Sequence, residues 1–329
     1  MSSQEGVSII ICCYNSASRL KPTLEHITKQ QVDINIPWEV IVIDNNSNDN
    51  SDEYAKEIWQ SLDSNINLRI IKELRQGLSF ARETGIRKAE YEYILFCDDD
   101  NWLNENYVQK VFGIFEDNPD IGVIGGKGKA VSDVEFPNWF AGVQKFYAVG
   151  AQYSETGRTE KKSIYGAGMA LKKSIFLDII MNYQLLLTGR RGNELIAGED
   201  YEICSIIMIL GYNIMYNNDL TFAHFIPKER LNKKYFRKIR KGCIESTIYL
   251  IPYYHELNNK PISFSWYLLR FIKQFTINLV TNLLFLIRNY NDGLFNLMLI
   301  IQEMKTPFKV YQIRKKQFPL KFKNKITEH

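Results

Sequence analysis

The chain has 329 residues and a mass of 38.5 kDa, with 45% apolar and 24% charged side chains. That is globular composition, and it excludes a disordered chain, a collagen-like repeat and a small disulfide scaffold. The net charge of +4 conceals a gradient: residues 1–227 carry 21 basic and 31 acidic side chains, net −10, and residues 228–329 carry 20 and 6, net +14. The acidic part suits soluble chemistry, and the basic part suits contact with something anionic.

Val7–Cys12 is a short β-branched run and predicts a buried strand. Ser18–Gln31 has helical spacing, Val40–Asp44 is a second strand, and Ser51–Leu62 is a helix opened by Ser-Asp-Glu. Leu68–Ile71 is a third strand, Leu78–Lys88 a third helix, and Tyr93–Cys97 a fourth strand that stops at Asp98-Asp99-Asp100. Glu105–Glu116 reads as helix and Ile121–Ile124 as strand. Continuous apolar strands alternating with helices predict an α/β fold with a mostly parallel sheet covered on both faces. Ligands bind at the carboxyl ends of such strands, so Tyr14-Asn15, Asp44 and Asp98–Asp100 share one rim. Beyond Val131 the pattern loosens: Tyr165–Leu171 is a predicted strand, Asp200–Leu210 a helix and Thr221–Phe225 a short strand. Lys233–Glu245 is a very basic helix, and Phe264–Ile287 and Leu294–Met304 are apolar helices before a Lys-rich tail. The expected division is one domain over 1–227, in two halves that meet near residue 130, and a basic helical region over 228–329.

The N-terminus lacks the basic leader of a signal peptide. Cys12, Cys13, Cys97, Cys204 and Cys243 are odd in number without a CxxC pair, which argues against disulfides and zinc and predicts a reducing, cytoplasmic setting. The longest uncharged apolar candidate, Gln274–Ile287, has 14 residues, too few to span a bilayer.

Three carboxylates at a strand end repel one another, and a hard divalent cation that also takes phosphate oxygens offsets that repulsion. The bland alternative is a solvated turn capping the next helix. Gly198-Glu199-Asp200 opens a helix, whose free N–H groups should keep a carboxylate ionised and able to accept a proton from a hydroxyl. It also reads as a plain N-cap. His224 alternates with Phe222 and Ile226, a pattern that by itself suits a core histidine. Asp44 is a candidate hydrogen-bond acceptor for a base or ribose, or a turn residue. No GxxxxGK[ST] loop occurs, so a P-loop kinase is excluded.

In order, VSIIICCYN, VIVIDNNSND, QGLSFARETGI, ILFCDDDNWL, YGAGMALKK and GEDYEIC resemble the motifs of an inverting family 2 glycosyltransferase of GT-A fold, across residues 6–226. The resemblance implies a nucleotide-sugar donor, contacted by Tyr14, Asn15, Asp44 and Arg82 with Asp98 or Asp99 on the ribose side. It implies a divalent metal (Mn²⁺ or Mg²⁺) on Asp100 and Asp98, completed by His224. It makes 1–227 a catalytic domain with a nucleotide-binding half to about 130 and an acceptor half over 131–227, and places Gly166, Gly168 and Met169 in the sugar and acceptor region. It makes Asp200 of the Glu199-Asp200 pair the general base. The second motif reads Asp-Asn-Asn-Ser where many members have Asp-Asp-Gly-Ser, and the third has Ala-Arg-Glu-Thr-Gly for the common Ala-Arg-Asn-x-Gly.

The implied reaction is transfer of a sugar to a hydroxyl of a glycan or lipid-linked acceptor, in polysaccharide biosynthesis. The basic, apolar C-terminal region suggests peripheral contact with the inner face of the cell membrane. Two rivals stand beside this. A sugar-phosphate nucleotidyltransferase should have a glycine-rich N-terminal loop, which Cys12–Asn15 is not. A non-catalytic basic scaffold would not need the acid clusters, and no nucleic-acid-binding signature accompanies the basic residues.

Overall fold

The computed structural model describes residues 4–159, 163–187, 189–190 and 197–258, with isolated positions 268, 269, 272, 276 and 280. The first half alternates as expected: β1 (Gln4–Cys13), α1 (Leu20–Thr28), β2 (Trp38–Asp44), α2 (Ser51–Ser61), β3 (Leu68–Lys72), α3 (Leu78–Lys88) and β4 (Tyr91–Asp98). These strands lie parallel in the order β3-β2-β1-β4. Register brings their ends together, with Cys13 opposite Asp44 and Cys12 opposite Asp98. The rim predicted from the sequence is therefore real.

The pleat explains why those strands are apolar throughout. Val7, Ile9, Ile11 and Cys13 of β1 point to one face, where α1 contributes Leu24 and Ile27 and α2 contributes Ile58 and Trp59. Ile10, with Ile41, Ile43 and Phe96, points to the other face, against Ala81 and Ile86 of α3. With both faces covered, neither can be polar.

The second half is mixed in direction. It comprises β5 (Asn101–Leu103), α4 (Tyr107–Asp117), β6 (Ile121–Val131), β7 (Gly157–Arg158), β8 (Ala170–Lys172), α5 (Lys173–Asn182), α6 (Glu199–Ile209), β9 (Asn213–Phe225) and α7 (Lys233–Leu257). β8 runs antiparallel between β4 and β6, β6 and β9 are parallel, and β5 and β7 pair antiparallel with β9.

Two predicted strands change here. Tyr165–Leu171 is strand only from Ala170, because Gly168 takes φ +67° and turns the chain at Gly166–Met169. Thr221–Phe225 is the end of the 13-residue β9. The polar stretch Asn217-Asn218-Asp219 hides its first part in the sequence, and a register shift between Gly125 and Lys127 accommodates that stretch. The basic helix exists and continues to Leu257, while Phe264–Ile287 (apart from the isolated positions), Leu294–Met304 and the Lys-rich tail lie outside the described residues. Among the described residues no helix is long and apolar enough to cross a membrane.

Gly126 sits where β6 presses on β9: a Cβ there would collide with the backbone oxygen of Leu220. Gly126→Ala is expected to cost about 1–3 kcal/mol in a urea melt. An unchanged midpoint would mean that the two strands can part without loss.

Candidate active site

A cleft of about 640 Å³ opens at the strand ends and is lined by Tyr14, Arg82, Asp98–Asp100, Gly166, Glu199, Asp200 and His224 among others. Its size is that of a small-molecule site. The three aspartates, one turn of chain, face different partners. Asp99 is forked by Arg19, with Nε to Oδ1 at 3.0 Å and Nη2 to Oδ2 at 2.7 Å, and it also accepts from the Ser16 hydroxyl. Arg19 further donates to the Tyr14 and Asn15 carbonyls. Asp99 thus locks the β1–α1 turn to β4, although its edge reaches the cleft.

Asp100 faces the second half of the sheet. Its carbonyl accepts from the Phe225 amide at 2.9 Å, which ties it to β9. Its Oδ1 lies 3.4 Å from His224 Nε2 and accepts from Asn101 Nδ2 at 2.9 Å. Its Oδ2 accepts from Arg230 Nη1 at 2.8 Å. Burial would raise this carboxyl, but His224 and Arg230 hold it well below the usual carboxylate range. Asp98 goes the other way: burial pushes its carboxyl up, with Arg82 opposing from 3.9 Å.

Asp100 Oδ1 and His224 Nε2 are a hard oxygen and an imidazole nitrogen converging on one cleft. That donor pair would suit a divalent ion able to take further oxygen ligands from outside the protein. Among the described residues no three His, Cys, Asp or Glu side chains form a cage of protein groups alone. His224 is buried, as are Phe222 and Ile226, in keeping with their alternation, and its Nδ1 has no hydrogen-bond partner among the described residues.

Arg82 links the two acid groups. It is buried on α3, its guanidinium lies 4.7 Å from the Phe96 ring centre, and Nη1 is 3.6 Å from Glu199 Oε1. Burial alone would pull its pKa down, while Glu199 and Asp98 hold it above the ordinary value. Asp200, in the first turn of α6, accepts the Gly166 amide at 2.8 Å and the Tyr201 amide at 2.9 Å. Those amides favour the ionised form, as the sequence suggested, but they lose. Burial, and then Glu199 beside it, push Asp200 up to about 7. Gly166 lies close to this arginine: a Cβ there would stand 2.9 Å from Arg82 Nη2 and push the guanidinium aside.

Other expected residues support the site from outside the cleft. Asn15, at φ 50°, turns its Oδ1 to the Asn48 amide. Asp44 is buried and accepts the Ser47 amide at 3.3 Å. Gly168 accepts from the Tyr107 hydroxyl at 2.6 Å, and Met169 is core. Among the described residues, these four stand just behind the lining of the cleft.

Sequence reasoning missed Asn45, Arg19, Arg190 and Arg230. Asn45 donates to the carbonyls of Glu73 and Arg75 and accepts the Gly77 amide, shaping the loop whose Gln76 and Gly77 line the cleft. A second aspartate at 45 could not donate those bonds, which gives the unusual Asp-Asn-Asn-Ser its physical reason. In the same loop Glu73, bonded by Arg75 and Thr84, falls to about 2. The arginines had one available signal, since a cluster of acids that stays ionised needs buried cations.

The model of "Glycosyl transferase family 2" matches residues 8–177. The chain belongs to glycosyltransferase family 2. The glycosyltransferase AglE of Haloferax volcanii is 28% identical over 245 residues, 73% of each chain. In solved structures, S. aureus TarS 1-349 in complex with UDP-GlcNAc aligns at TM-score 0.53 and 17% identity, covering 78% of this chain and 68% of that one. The mannosyltransferase PcManGT of Pyrobaculum calidifontis, in complex with GDP-Man and Mn²⁺, aligns at 0.52 and 18%, covering 75% and 63%. These two support the fold: an α/β sheet flanked by helices, of GT-A type. The transferase family accordingly accounts for the cleft at the strand ends.

Replacing Arg19 leaves Asp99 unpaired in a nearly closed setting. Arg19→Met is expected to cost about 2–3 kcal/mol by denaturant melt, below the full buried-pair range because a quarter of the Arg19 side chain is exposed. A loss under about 0.5 kcal/mol would show that water serves Asp99 as well as Arg19 does.

Proposed function

We propose that this glycosyltransferase is an inverting enzyme that moves a sugar from a nucleotide-diphospho-sugar to a hydroxyl of a glycan or lipid-linked acceptor. The observation that carries the reading is one cleft holding both a Asp100–His224 donor pair and a carboxylate, Asp200, poised near neutrality. Nucleotide-sugar donors bound by the fold neighbours support the donor class.

Asp200 takes the proton from the acceptor hydroxyl. The hydroxyl oxygen forms a bond to the anomeric carbon as the bond to the diphosphate oxygen breaks, and the diphosphate leaves with that electron pair. Attack opposite the leaving group inverts the centre. Asp100 and His224 are the residues that would hold a divalent metal, with Asp98 beside them, and that ion would supply charge to the departing diphosphate. Arg82, set between Asp98 and Glu199, keeps the acids of donor and acceptor sides in a fixed relation. Glu199 raises Asp200 toward working pH, where a base is most effective. Tyr14 and the Asn45-shaped loop border the nucleotide side. Tyr165 and Tyr201 flank Asp200 and offer aromatic surfaces to a sugar ring.

α7 has two faces. Tyr235, Cys243, Ser246 and Leu250 border the cleft, whereas Lys233, Lys234, Lys238 and Lys241 are exposed. We assign the exposed face to an anionic membrane surface, which brings the cleft to lipid-linked acceptors at the cytoplasmic leaflet.

A base raised to about 7 is protonated below that pH and competent above it, so kcat should rise along an acid limb centred near pH 7. The same shift makes the folded protein hold a proton that the unfolded chain has released. The Asp200 contribution to stability is therefore present below about pH 4 and is lost as pH climbs toward 7. Asp200→Asn should keep donor binding and lower kcat by about 10²–10⁴-fold. Wild-type turnover in that variant would remove Asp200 from the mechanism.

Sedimentation with liposomes tests the membrane face. Full-length protein should pellet with phosphatidylglycerol vesicles, not with phosphatidylcholine. The triple reversal Lys234→Glu, Lys238→Glu, Lys241→Glu should weaken that binding by at least about tenfold, as each nearby Lys contributes about 1 kcal/mol. Equal pelleting of both proteins would return the helix to ordinary packing.

A further inference from the structure

Arg230 occupies a turn of 3₁₀ helix, Lys228–Arg230, between β9, which carries His224, and α7, which walls the cleft. Its backbone is fixed on both sides. The Tyr147 hydroxyl donates to the Arg230 carbonyl at 3.0 Å, and Asn232 caps α7 by accepting the Tyr235 amide at 2.9 Å. Its guanidinium reaches the cleft, and Nη1 donates to Asp100 Oδ2 at 2.8 Å, with the two side chains 20% and 5% exposed.

Two arginines thus grip neighbouring aspartates, but differently. Arg19 is saturated: it forks Asp99 and bonds two backbone carbonyls. Among the described residues, the hydrogen bond of the Arg230 guanidinium goes to Asp100 alone. Asp100 is also the carboxylate that the donor-site reading assigns to a divalent cation. A guanidinium and a divalent cation on one carboxylate repel each other, and the cleft is too enclosed for water to screen them well. A cation arriving alone must therefore compete with Arg230. A cation arriving with a diphosphate brings anionic oxygens beside Arg230, and the planar guanidinium matches phosphate geometry.

We propose that Arg230 is a diphosphate-binding residue held on Asp100 until the donor arrives, and that it exchanges the aspartate for a phosphate oxygen as the metal takes Asp100. This rests on the donor-site reading above. It adds a consequence of opposite signs: Arg230 opposes binding of the bare cation and favours binding of the nucleotide. Metal and donor then enter together, and Asp100 is never left as an unpaired buried charge.

The test uses the full chain and two titrations. Mn²⁺ alone is followed by the electron paramagnetic resonance signal of free ion, and UDP, dTDP and GDP, each with saturating Mn²⁺, are followed by calorimetry. Arg230→Gln should bind Mn²⁺ alone about tenfold more tightly than wild type, and its best nucleotide about tenfold more weakly, the size of one charge-assisted hydrogen bond. Arg230→Lys keeps the charge without the fork. It should bind Mn²⁺ as wild type does while losing part of the nucleotide affinity, and it serves as the probe if Arg230→Gln does not fold by circular dichroism. If Arg230→Gln moves both affinities in the same direction, or leaves either unchanged, Arg230 is only a structural partner of Asp100. If wild type binds none of UDP, dTDP and GDP with Mn²⁺, the donor-site reading fails and this proposal with it.

Discussion

Five carboxylates, Asp98, Asp99, Asp100, Glu199 and Asp200, meet in one partly closed cleft, and their mutual repulsion is the constraint around which the site is arranged. Arg19 matches Asp99, Arg230 matches Asp100, and Arg82 lies between Asp98 and Glu199. Asp200 has two backbone amides and no arginine at ion-pair distance among the described residues, so burial and then Glu199 carry it toward neutrality. Pairing outweighs burial at Asp100 and leaves it ionised, whereas at Asp200 burial prevails. Neighbouring residues of one chemical type acquire opposite proton affinities from their partners.

The scaffold exists to make that meeting happen. Apolar strands buried on both faces leave no freedom for polar groups except at their ends, so the functional side chains collect there. β9 then brings His224 opposite Asn101, next to Asp100, and the α6 N-terminus brings Glu199 and Asp200 to the same opening. α7 closes the wall and is pinned to α6 by the Tyr253 hydroxyl donating to buried Glu202 at 2.6 Å. Glu202 also accepts the Leu186 and Leu187 amides, so one carboxylate gathers three stretches of chain.

The parallel half of the sheet was legible because each strand there is a continuous apolar run ended by polar residues. β5, α5 and most of β9 were not, because three-residue strands carry no period and Asn217–Asp219 interrupts the β9 pattern. The acids of the site were visible as clusters, and their order along the chain matched a family. Two of their partners were invisible: Arg19 and Arg230 are 80 and 130 residues from the aspartates they approach, and no local pattern encodes such distances, whereas Arg82 stood out through the motif it shares with the family. Asn15, Asp44, Gly168 and Met169 share motifs with cleft residues, and the bonds that fix them behind the lining, such as Tyr107 to the Gly168 carbonyl, join positions far apart in the chain.

The 130-residue separation of Asp100 and Arg230 also orders events in time. A ribosome adding about 5–20 residues per second needs on the order of ten seconds to pass from one to the other. When Asp100 emerges, Arg19 and Arg82 are already made, so Asp99 and Asp98 can find their cations at once. Asp100 must wait, open to water, until β9 and the turn after it arrive. The cleft at the strand ends is therefore completed late, and a nascent chain keeps this carboxylate hydrated until the sheet and the turn after it have been synthesised.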